Sequence, residues 1–190
     1  MAAPKAMLPF GEEVMLQRVA RLLAEVVTPI VIVAAEGQIL PECSVATTVV
    51  RDERADRGPM EGLRAGLKAM LLLADAAYVT SVDVPLLLPA FVRQMIAELG
   101  DAEVAVPVEV REGETFYHPL AAVYRTRVLP VVEQQLATDR LRLSLLCEVT
   151  KCQPVPVDRL RDIDPQLNTL RNLNCSQDYQ AALQAAGFMV

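Results

Sequence analysis

The stretch 77–89 (AYVTSVDVPLLLP) constrains the fold more than any other part of this sequence. Residues 77–82 are apolar and rich in β-branched side chains, a composition typical of a strand buried on both faces of a sheet. Asp83 stands where this strand ends, and Pro85 stops it because proline has no N–H to donate to a ladder. Strand patterns at 30–35 and 45–50 alternate with amphipathic helical patterns at 14–26 and 90–99, which predicts parallel βαβ units. We therefore expect a single α/β domain over residues 1–190.

Charge and composition narrow the classes of partner. Hydrophobic residues make up 53% of the 190 residues, which argues against disorder and allows a substantial core. The net charge is −6 and no block of Lys and Arg stands out, so a general nucleic-acid-binding role is not expected. A phosphorylated small molecule needs only a local positive site and stays compatible with this charge.

The cysteine pattern and the apolar runs indicate the compartment. The four cysteines form no CxxC pair and the chain has one histidine, so we expect reduced thiols and no zinc site. No apolar run approaches the roughly 18 residues that a membrane span needs, and the N-terminus lacks the apolar core of a signal peptide. The sequence predicts a soluble, cytoplasmic protein with no membrane partner.

Two aspartates mark one edge of the predicted sheet. Asp83 directly follows the strand at 77–82, and Asp52 lies at the C-terminal end of the strand at 45–50. Ligands of open α/β sheets collect at the carboxyl ends of strands. Mg²⁺ prefers oxygen ligands, commonly one or two carboxylates beside phosphates. Asp83 is therefore a candidate magnesium ligand, and the alternative is a turn or helix cap.

Glycines open the helix that follows Asp52. Gly58, Gly62 and Gly66 recur at four-residue spacing, which lets the backbone approach another group closely. The start of this helix would also offer free amides to an anion. We assign Gly58 and Gly62 to a ligand-facing role and Gly66 to helix–sheet packing.

Two further residues have competing interpretations. Lys5 is the only basic residue of the loop predicted over residues 1–11, and on its own it is compatible with a solvated charge in a tail. His118 is the only histidine, and it is either a general base or a hydrogen-bonding group in a turn before proline.

Taken in order, several stretches together resemble the molybdenum cofactor guanylyltransferases. They are residues 4–11 (PKAMLPFG), Asp52, residues 58–67 (GPMEGLRAGL), residues 83–85 (DVP), residues 118–120 (HPL), and residues 172–179 (NLNCSQDY). The resemblance covers nearly the whole chain. It implies a Rossmann-like, three-layer nucleotidyltransferase fold with a mostly parallel sheet, and the transfer of GMP from GTP to molybdopterin-bound molybdenum cofactor with release of pyrophosphate.

The resemblance also implies roles for individual residues. Lys5 would contact the nucleotide phosphates, Asp52, Gly58 and Gly62 would help bind the nucleotide, and Asp83 would bind Mg²⁺. Lys5 and Asp83 would be the catalytic pair. The pterin side would be formed by His118, Asn172 and Asn174. Transient contacts with cofactor-delivery proteins or molybdoenzymes are a further implication.

One departure from the family pattern concerns the start of the chain. Members of this family open with a strand and a glycine-rich loop immediately before the position of Lys5, and this chain begins inside that loop. We expect a sheet without its first strand, with unpaired edges and weak phosphate binding. Cys175 and Ser176 also stand where the family commonly has Thr-Pro. Three functions remain open: the guanylyltransferase, a related cytidylyltransferase or sugar-nucleotide transferase, and a non-catalytic nucleotide- or cofactor-binding homologue.

Overall fold

The structure, a computed structural model, describes residues 4–54 and 57–188, which contain nine strands and six α-helices. The strands are β1 (Pro9–Phe10), β2 (Glu13–Val14), β3 (Ile30–Ala34), β4 (Thr47–Arg51), β5 (Ala76–Thr80), β6 (Val104–Arg111), β7 (Glu114–Tyr117), β8 (Ala121–Arg125) and β9 (Cys152–Pro156). The helices are α1 (Met15–Ala24), α2 (Gly58–Met70), α3 (Pro89–Glu98), α4 (Leu129–Ala137), α5 (Leu146–Val149) and α6 (Ser176–Ala185).

The strands form one large sheet and two ribbons. The large sheet has the order β5-β8-β6-β7, and β9 pairs with β6. Its pairs are antiparallel except β6 with β9, whereas the ribbon of β3 and β4 is parallel. The α/β class is confirmed, and within it the pairing is more antiparallel than the mostly parallel sheet that we expected. One of these antiparallel pairs has a local cause: β6 turns back into β7 at Glu112–Gly113, where both residues have positive φ and form a two-residue hairpin loop. The other two arise because β8 lies between β5 and β6 and runs opposite to both.

Helices cover both faces of the large sheet. One apolar cluster joins α2, α4 and α5 to one face of β6 and β8, with Met60, Leu67 and Val106 among its buried members. The other joins α3 and the turn after β9 to the opposite face, with Phe91 and Leu160 fully buried. The result is the three-layer arrangement that the resemblance implied.

The two ends of the described chain pack against each other. We expected a loop up to Gly11, but a 3-10 turn (Lys5–Met7) and the β1–β2 hairpin occupy this segment. Phe10 is fully buried against Met15, Leu173 and Ala182, the last of which belongs to α6. The sequence predicts Ser176 as the N-cap of α6, but the cap is one residue earlier, because the Cys175 sulfur accepts the Asp178 N–H.

Gly11 in the β1–β2 turn offers a direct test of this end-to-end packing. Its φ is +68°, and an added Cβ would lie 2.3 Å from Phe188 Cζ. Gly37 has a similar φ of +71° with nothing within 4 Å, so it isolates backbone strain from collision. We expect Gly37→Ala to cost about 1–2 kcal/mol of unfolding free energy, and Gly11→Ala to cost clearly more. Urea melts of both variants measure this, and equal losses would contradict the close packing of Phe188 on the turn.

Two strands that we expected to be buried are only half-buried. All five residues of β5 are intermediate in exposure, and so are the three central residues of β3. By contrast, four of the five residues of β8 are buried. We expected burial because β3 and β5 have the apolar, β-branched composition of interior strands. The difference is that β8 has a neighbour on each side, whereas in residues 4–54 and 57–188 β3 pairs only with β4 and β5 only with β8.

Other segments differ from the sequence prediction in smaller ways. The sequence predicts a helix over 141–148, but the structure has a 3-10 turn (Leu143–Leu145) followed by the single turn of α5. Cys147 and Cys152, which we expected to be buried small apolar residues, are half-buried. A hydrogen bond between their thiols raises the pKa of Cys147 and lowers the pKa of Cys152. Within the described ranges, no helix is long and apolar enough to cross a membrane.

Candidate functional site

Asp83 lies in the turn after β5, and three separate parts of the chain meet there. Its side chain is 12% exposed, and Oδ2 accepts a hydrogen bond from Lys5 Nζ at 2.7 Å. The Ser81 hydroxyl donates to the other oxygen, Oδ1. The Asp83 carbonyl accepts the Leu173 N–H at 2.9 Å, which fixes the segment before α6 against this turn. Both carboxylate oxygens are therefore engaged, one of them by a cation.

Asn174 completes this cluster. Its Oδ1 accepts from Lys5 Nζ at 3.2 Å, so the ammonium bridges the carboxylate and the amide. The backbone of Asn174 is held in turn, because its N–H donates to Asp178 Oδ2 at 3.0 Å. The structure thus brings together Lys5, Asp83 and Asn174. Of these, Lys5 and Asn174 are 169 positions apart in the sequence. Asn172 is exposed beside them.

Asp52 lies just past β4, at the carboxyl end of that strand as expected. Its N–H donates to the Ala34 carbonyl at 3.0 Å, which extends the β3–β4 pairing by one residue. Its Oδ1 is buried and has no hydrogen-bond partner among the described residues. Burial, followed by the nearby Glu61 carboxylate, raises the pKa of Asp52, and Arg64 offsets part of the rise. A buried oxygen without a partner fits a carboxylate that accepts from a bound ligand.

A buried ion pair beneath Asp52 is the feature that sequence reasoning missed. Glu61 is 1% exposed and binds Arg64 through both oxygens, at 2.9 and 2.7 Å. Glu61 Oε1 also accepts the Glu53 N–H at 3.2 Å, and Arg64 Nη2 reaches Glu53 Oε2 at 3.0 Å. The hydrogen bond from Arg64 is the main cause that lowers the pKa of Glu61. The spacing of a Glu three residues before an Arg on one helix was the available signal.

An apolar cavity of about 780 Å³ adjoins this edge of the fold. Asp52, Gly58, Gly62 and Ser81 are part of its lining. An added Cβ at Gly58 or Gly62 would meet nothing within 4 Å, so open space lies beside both. Gly66 differs, since its Cβ would lie 3.4 Å from Val33 Cγ2, as expected of helix–sheet packing.

Among the described residues, no hydrogen bond or ion pair links the His118 side chain to the Lys5–Asp83–Asn174 cluster. Its nearest charged partner is Glu109, with Nε2 to Oε2 at 4.0 Å, and Nε2 is buried without a hydrogen-bond partner in the described part of the chain. Burial lowers the pKa of His118, so the imidazole is neutral at pH 7. Its backbone ties the β7–β8 connection to the sheet, with its N–H donating to the Pro107 carbonyl at 2.9 Å. These contacts are those of a structural histidine.

The donor atoms around Asp83 fit a hard cation such as Mg²⁺. They are oxygens of a carboxylate, a hydroxyl and an amide, from Asp83, Ser81 and Asn174. Among residues 4–54 and 57–188, no group of three or more His, Cys, Asp or Glu side chains converges. The protein therefore supplies one carboxylate, and phosphate and water oxygens would complete the shell, as is usual for Mg²⁺.

Known proteins share both the sequence and the fold. A probable molybdenum cofactor guanylyltransferase of Mycobacterium avium is 31% identical over 180 residues, which cover 93% of this chain and 84% of that protein. A second, from Methanosarcina mazei, is 29% identical over 187 residues, covering 93% and 80%.

Two solved structures have a similar fold. Molybdopterin-guanine dinucleotide biosynthesis protein A from Archaeoglobus fulgidus superposes with a TM-score of 0.78 at 16% identity, covering 99% of this chain and 93% of that one. The 2-C-methyl-D-erythritol 4-phosphate cytidylyltransferase from Thermus thermophilus gives 0.73 at 14% identity, covering 98% and 95%. At these identities the likeness establishes the fold alone.

A family model, the MobA-like NTP transferase domain, matches residues 1–153. That range holds Lys5, Asp52 and Asp83, and the sequence relatives extend the match over most of the remainder. The chain belongs to the MobA-like NTP transferase family.

Proposed function

We propose that this protein transfers GMP from GTP to molybdopterin carrying molybdenum, with release of pyrophosphate. The observation that carries the proposal is the Lys5–Asp83–Asn174 cluster at the strand edge that also bears Asp52. It supports the proposal because it combines one cation with one buried carboxylate, the groups that would be needed where a nucleotide triphosphate meets a second anionic substrate. The names of the sequence relatives support the identity of the substrates.

Nucleotidyl transfer requires that the two substrates are positioned and that their negative charges are compensated. It does not require a nucleophile from the protein. Lys5 would be able to exchange Asp83 for a phosphate oxygen, because its side chain is 34% exposed and its ammonium has two acceptors in the described part of the chain. On the phosphates it offsets the negative charge that grows on the departing pyrophosphate. Asp83 would hold Mg²⁺, which when bound supplies further neutralisation at the phosphates.

The remaining residues divide between the two substrates. Asp52, with its unpartnered oxygen, and the open backbone at Gly58 and Gly62 would receive the nucleoside side of GTP. Asn172 and Asn174 would face the pterin. We keep His118 only as a residue behind the pterin side, since its contacts are structural.

The cellular setting is part of the same proposal. A single domain over residues 1–190 would act in the cytoplasm and meet cofactor-delivery proteins or molybdoenzymes transiently. A related cytidylyltransferase is the second candidate, favoured by the fold it shares with the Thermus thermophilus enzyme.

The test measures pyrophosphate release with molybdopterin present, with GTP and CTP compared at equal concentration. We expect release with GTP, and release with CTP alone would establish the second candidate. Lys5→Met removes the cation, and we expect it to weaken GTP binding at least about tenfold in a calorimetric titration, the value of one charge-assisted hydrogen bond. Lys151→Met is the matched control at an exposed lysine. Equal GTP affinity in both variants would remove Lys5 from the phosphate site.

A further inference from the structure

Cys147 and Cys152 lie side by side where helix α5 is followed by strand β9. Cys147 belongs to the single turn of α5, Cys152 is the first residue of β9, and these two elements pack together. Both side chains contact the same apolar cluster, which joins α5 to β6 and β8, and their thiols share a hydrogen bond. Neither residue is fully buried, so a small reagent can reach the pair from solvent.

The chain between the two cysteines is fixed at several points. The Thr150 hydroxyl donates to the Leu146 carbonyl at 2.7 Å, which closes the end of α5. The Lys151 N–H donates to Glu103 Oε2 at 3.0 Å, and the Lys151 carbonyl accepts the Glu103 N–H at 2.7 Å. Cys152 itself belongs to the ladder of β6 and β9. The position of one thiol relative to the other is therefore set by the fold.

The shared hydrogen bond makes the two thiols chemically unlike. It raises the pKa of Cys147, with burial adding to the rise, and it lowers the pKa of Cys152, with burial opposing the fall. Cys147 therefore keeps its proton and donates it, while Cys152 is the sulfur that carries the negative charge. The thiolate is the nucleophilic form of cysteine. The pair thus combines a nucleophile with a second sulfur next to it, which is the arrangement of a redox-sensitive dithiol.

The other two cysteines provide a comparison within the same chain. Cys43 is also half-buried, and burial raises its pKa. Cys175 is exposed, and its sulfur accepts the Asp178 N–H as the cap of α6. A thiol whose pKa is raised by burial is less reactive, and the Cys175 sulfur is already engaged by the helix. We therefore expect an oxidant to select Cys147 and Cys152.

We propose that Cys147 and Cys152 form an oxidation site, at which hydrogen peroxide converts the two thiols to an intramolecular disulfide. The Cys152 thiolate attacks one peroxide oxygen, the O–O bond breaks, hydroxide leaves, and Cys152 becomes a sulfenic acid. The Cys147 sulfur then attacks the Cys152 sulfur, so that the S–S bond forms and the S–O bond breaks. The leaving hydroxyl takes the proton of Cys147 and departs as water.

This sequence of steps is balanced without a further reactant. The two sulfurs are oxidised, the peroxide is reduced to water, and the protons of both thiols end in the water that is released. A dithiol reductant returns the pair to its thiol form by exchange. The inference concerns only these two residues and is independent of the proposed transferase activity.

The position of Lys151 between the two cysteines allows a direct test. Trypsin cleaves after this lysine, so Cys147 is released in the peptide 143–151 and Cys152 in the peptide 152–159. Only a disulfide keeps these two peptides joined. The reduced full chain is treated with hydrogen peroxide and its remaining thiols are alkylated. The digest is then analysed by mass spectrometry with and without dithiothreitol.

We expect the joined peptides to appear in the monomer and to vanish with dithiothreitol, while the free thiols fall from four to two. Cys43→Ser, at another half-buried thiol, is the matched control and should give the joined peptides at the rate of the original chain. A digest without joined peptides, or one in which Cys43 or Cys175 is joined instead, overturns the proposal. Joined peptides found only in dimers also overturn it. The main readout uses the original chain and does not depend on the folding of a variant.

Single substitutions test the order of the two steps. In Cys147→Ser the second sulfur is missing while the serine hydroxyl can still donate to Cys152, so a sulfenic acid should stay on Cys152, where dimedone traps it. In Cys152→Ser burial still raises the pKa of Cys147, which should react with peroxide at least about tenfold more slowly. Equal rates of trapping in the two variants would overturn the assignment of Cys152 as the nucleophile.

Discussion

Replacing Asp83 with asparagine is expected to slow guanylyl transfer by at least about a hundredfold, which corresponds to about 2.7 kcal/mol of transition-state stabilisation. Asparagine keeps the size of the side chain and its oxygen acceptor but removes the negative charge. A neutral amide cannot compensate a divalent cation, and it no longer holds Lys5 in place before the substrate arrives. The loss should therefore fall on the rate and on metal binding.

The fold should tolerate this change. The Lys5–Asp83 pair is partly exposed on the lysine side, and pairs of that kind contribute up to about 1 kcal/mol to stability. Initial rates of pyrophosphate release measure the main effect, and titration with Mn²⁺ as a spectroscopic substitute for Mg²⁺ gives a readout that needs no turnover. Asp101→Asn, at an exposed aspartate, is the matched control. Unchanged rate and unchanged Mn²⁺ affinity in the Asp83 variant would take Asp83 out of the site.

The largest loss of stability is expected from Arg64→Met. Methionine fills a similar volume but leaves the Glu61 carboxylate, in a residue only 1% exposed, without its bidentate partner. Breaking a buried pair from one side costs about 3–5 kcal/mol, because the remaining charge is buried and uncompensated. In a chain of this size the melting temperature should fall by about 10 °C or more.

Two controls distinguish the effect of breaking the Glu61–Arg64 ion pair from the effect of removing an arginine in general. Arg161→Met removes an exposed arginine paired with Asp158 at 3.2 Å, and should change the unfolding free energy by less than about 1 kcal/mol. The double variant Glu61→Gln with Arg64→Met removes both charges and should recover more than half of the loss. A single Arg64 variant as stable as the Arg161 variant would show that the pair contributes little.

The same variant has a predicted pH dependence. Arg64 lowers the pKa of Glu61 in the folded protein, so the pair's stabilisation is fully present above the unfolded pKa of about 4.3. It is lost as the pH falls through the lower, folded pKa. The stability difference between the original chain and Arg64→Met should therefore be largest near pH 7 and shrink below about pH 4.

The sequence predicted those parts of the fold that local pattern controls. The helices near 14–26 and 90–99 and the strands near 30–35 and 77–82 end within about two residues of their observed bounds, the usual uncertainty of element ends. The β1–β2 hairpin was missed because each strand is two residues long and has no period to detect. The 3-10 turn at Leu143–Leu145 was mistaken for helix because one turn of either kind has the same apolar spacing.

The site residues also divide into those that the sequence predicts and those that depend on the packing of distant segments. Asp52 and Asp83 were predictable as residues that follow strands, because parallel topology alone sends strand ends to one edge. The contact of Lys5 with Asn174 was not, since it depends on how the N-terminal turn and α6 pack around Phe10. The ion pair of Glu61 with Arg64 was visible as spacing, but its burial follows from where α2 lies on the sheet.

The separation of the β3–β4 ribbon from the large sheet has a consequence for how the protein unfolds. The ribbon is attached through the packing of α1 and α2, without a shared ladder in the described residues. We expect it to open as a cooperative unit of its own, at a lower free energy than global unfolding, while β6 and β8 stay intact. Limited proteolysis would then reach the connection at 35–46 through this partly open state, and Asp52 would leave the site before the rest of the molecule unfolds.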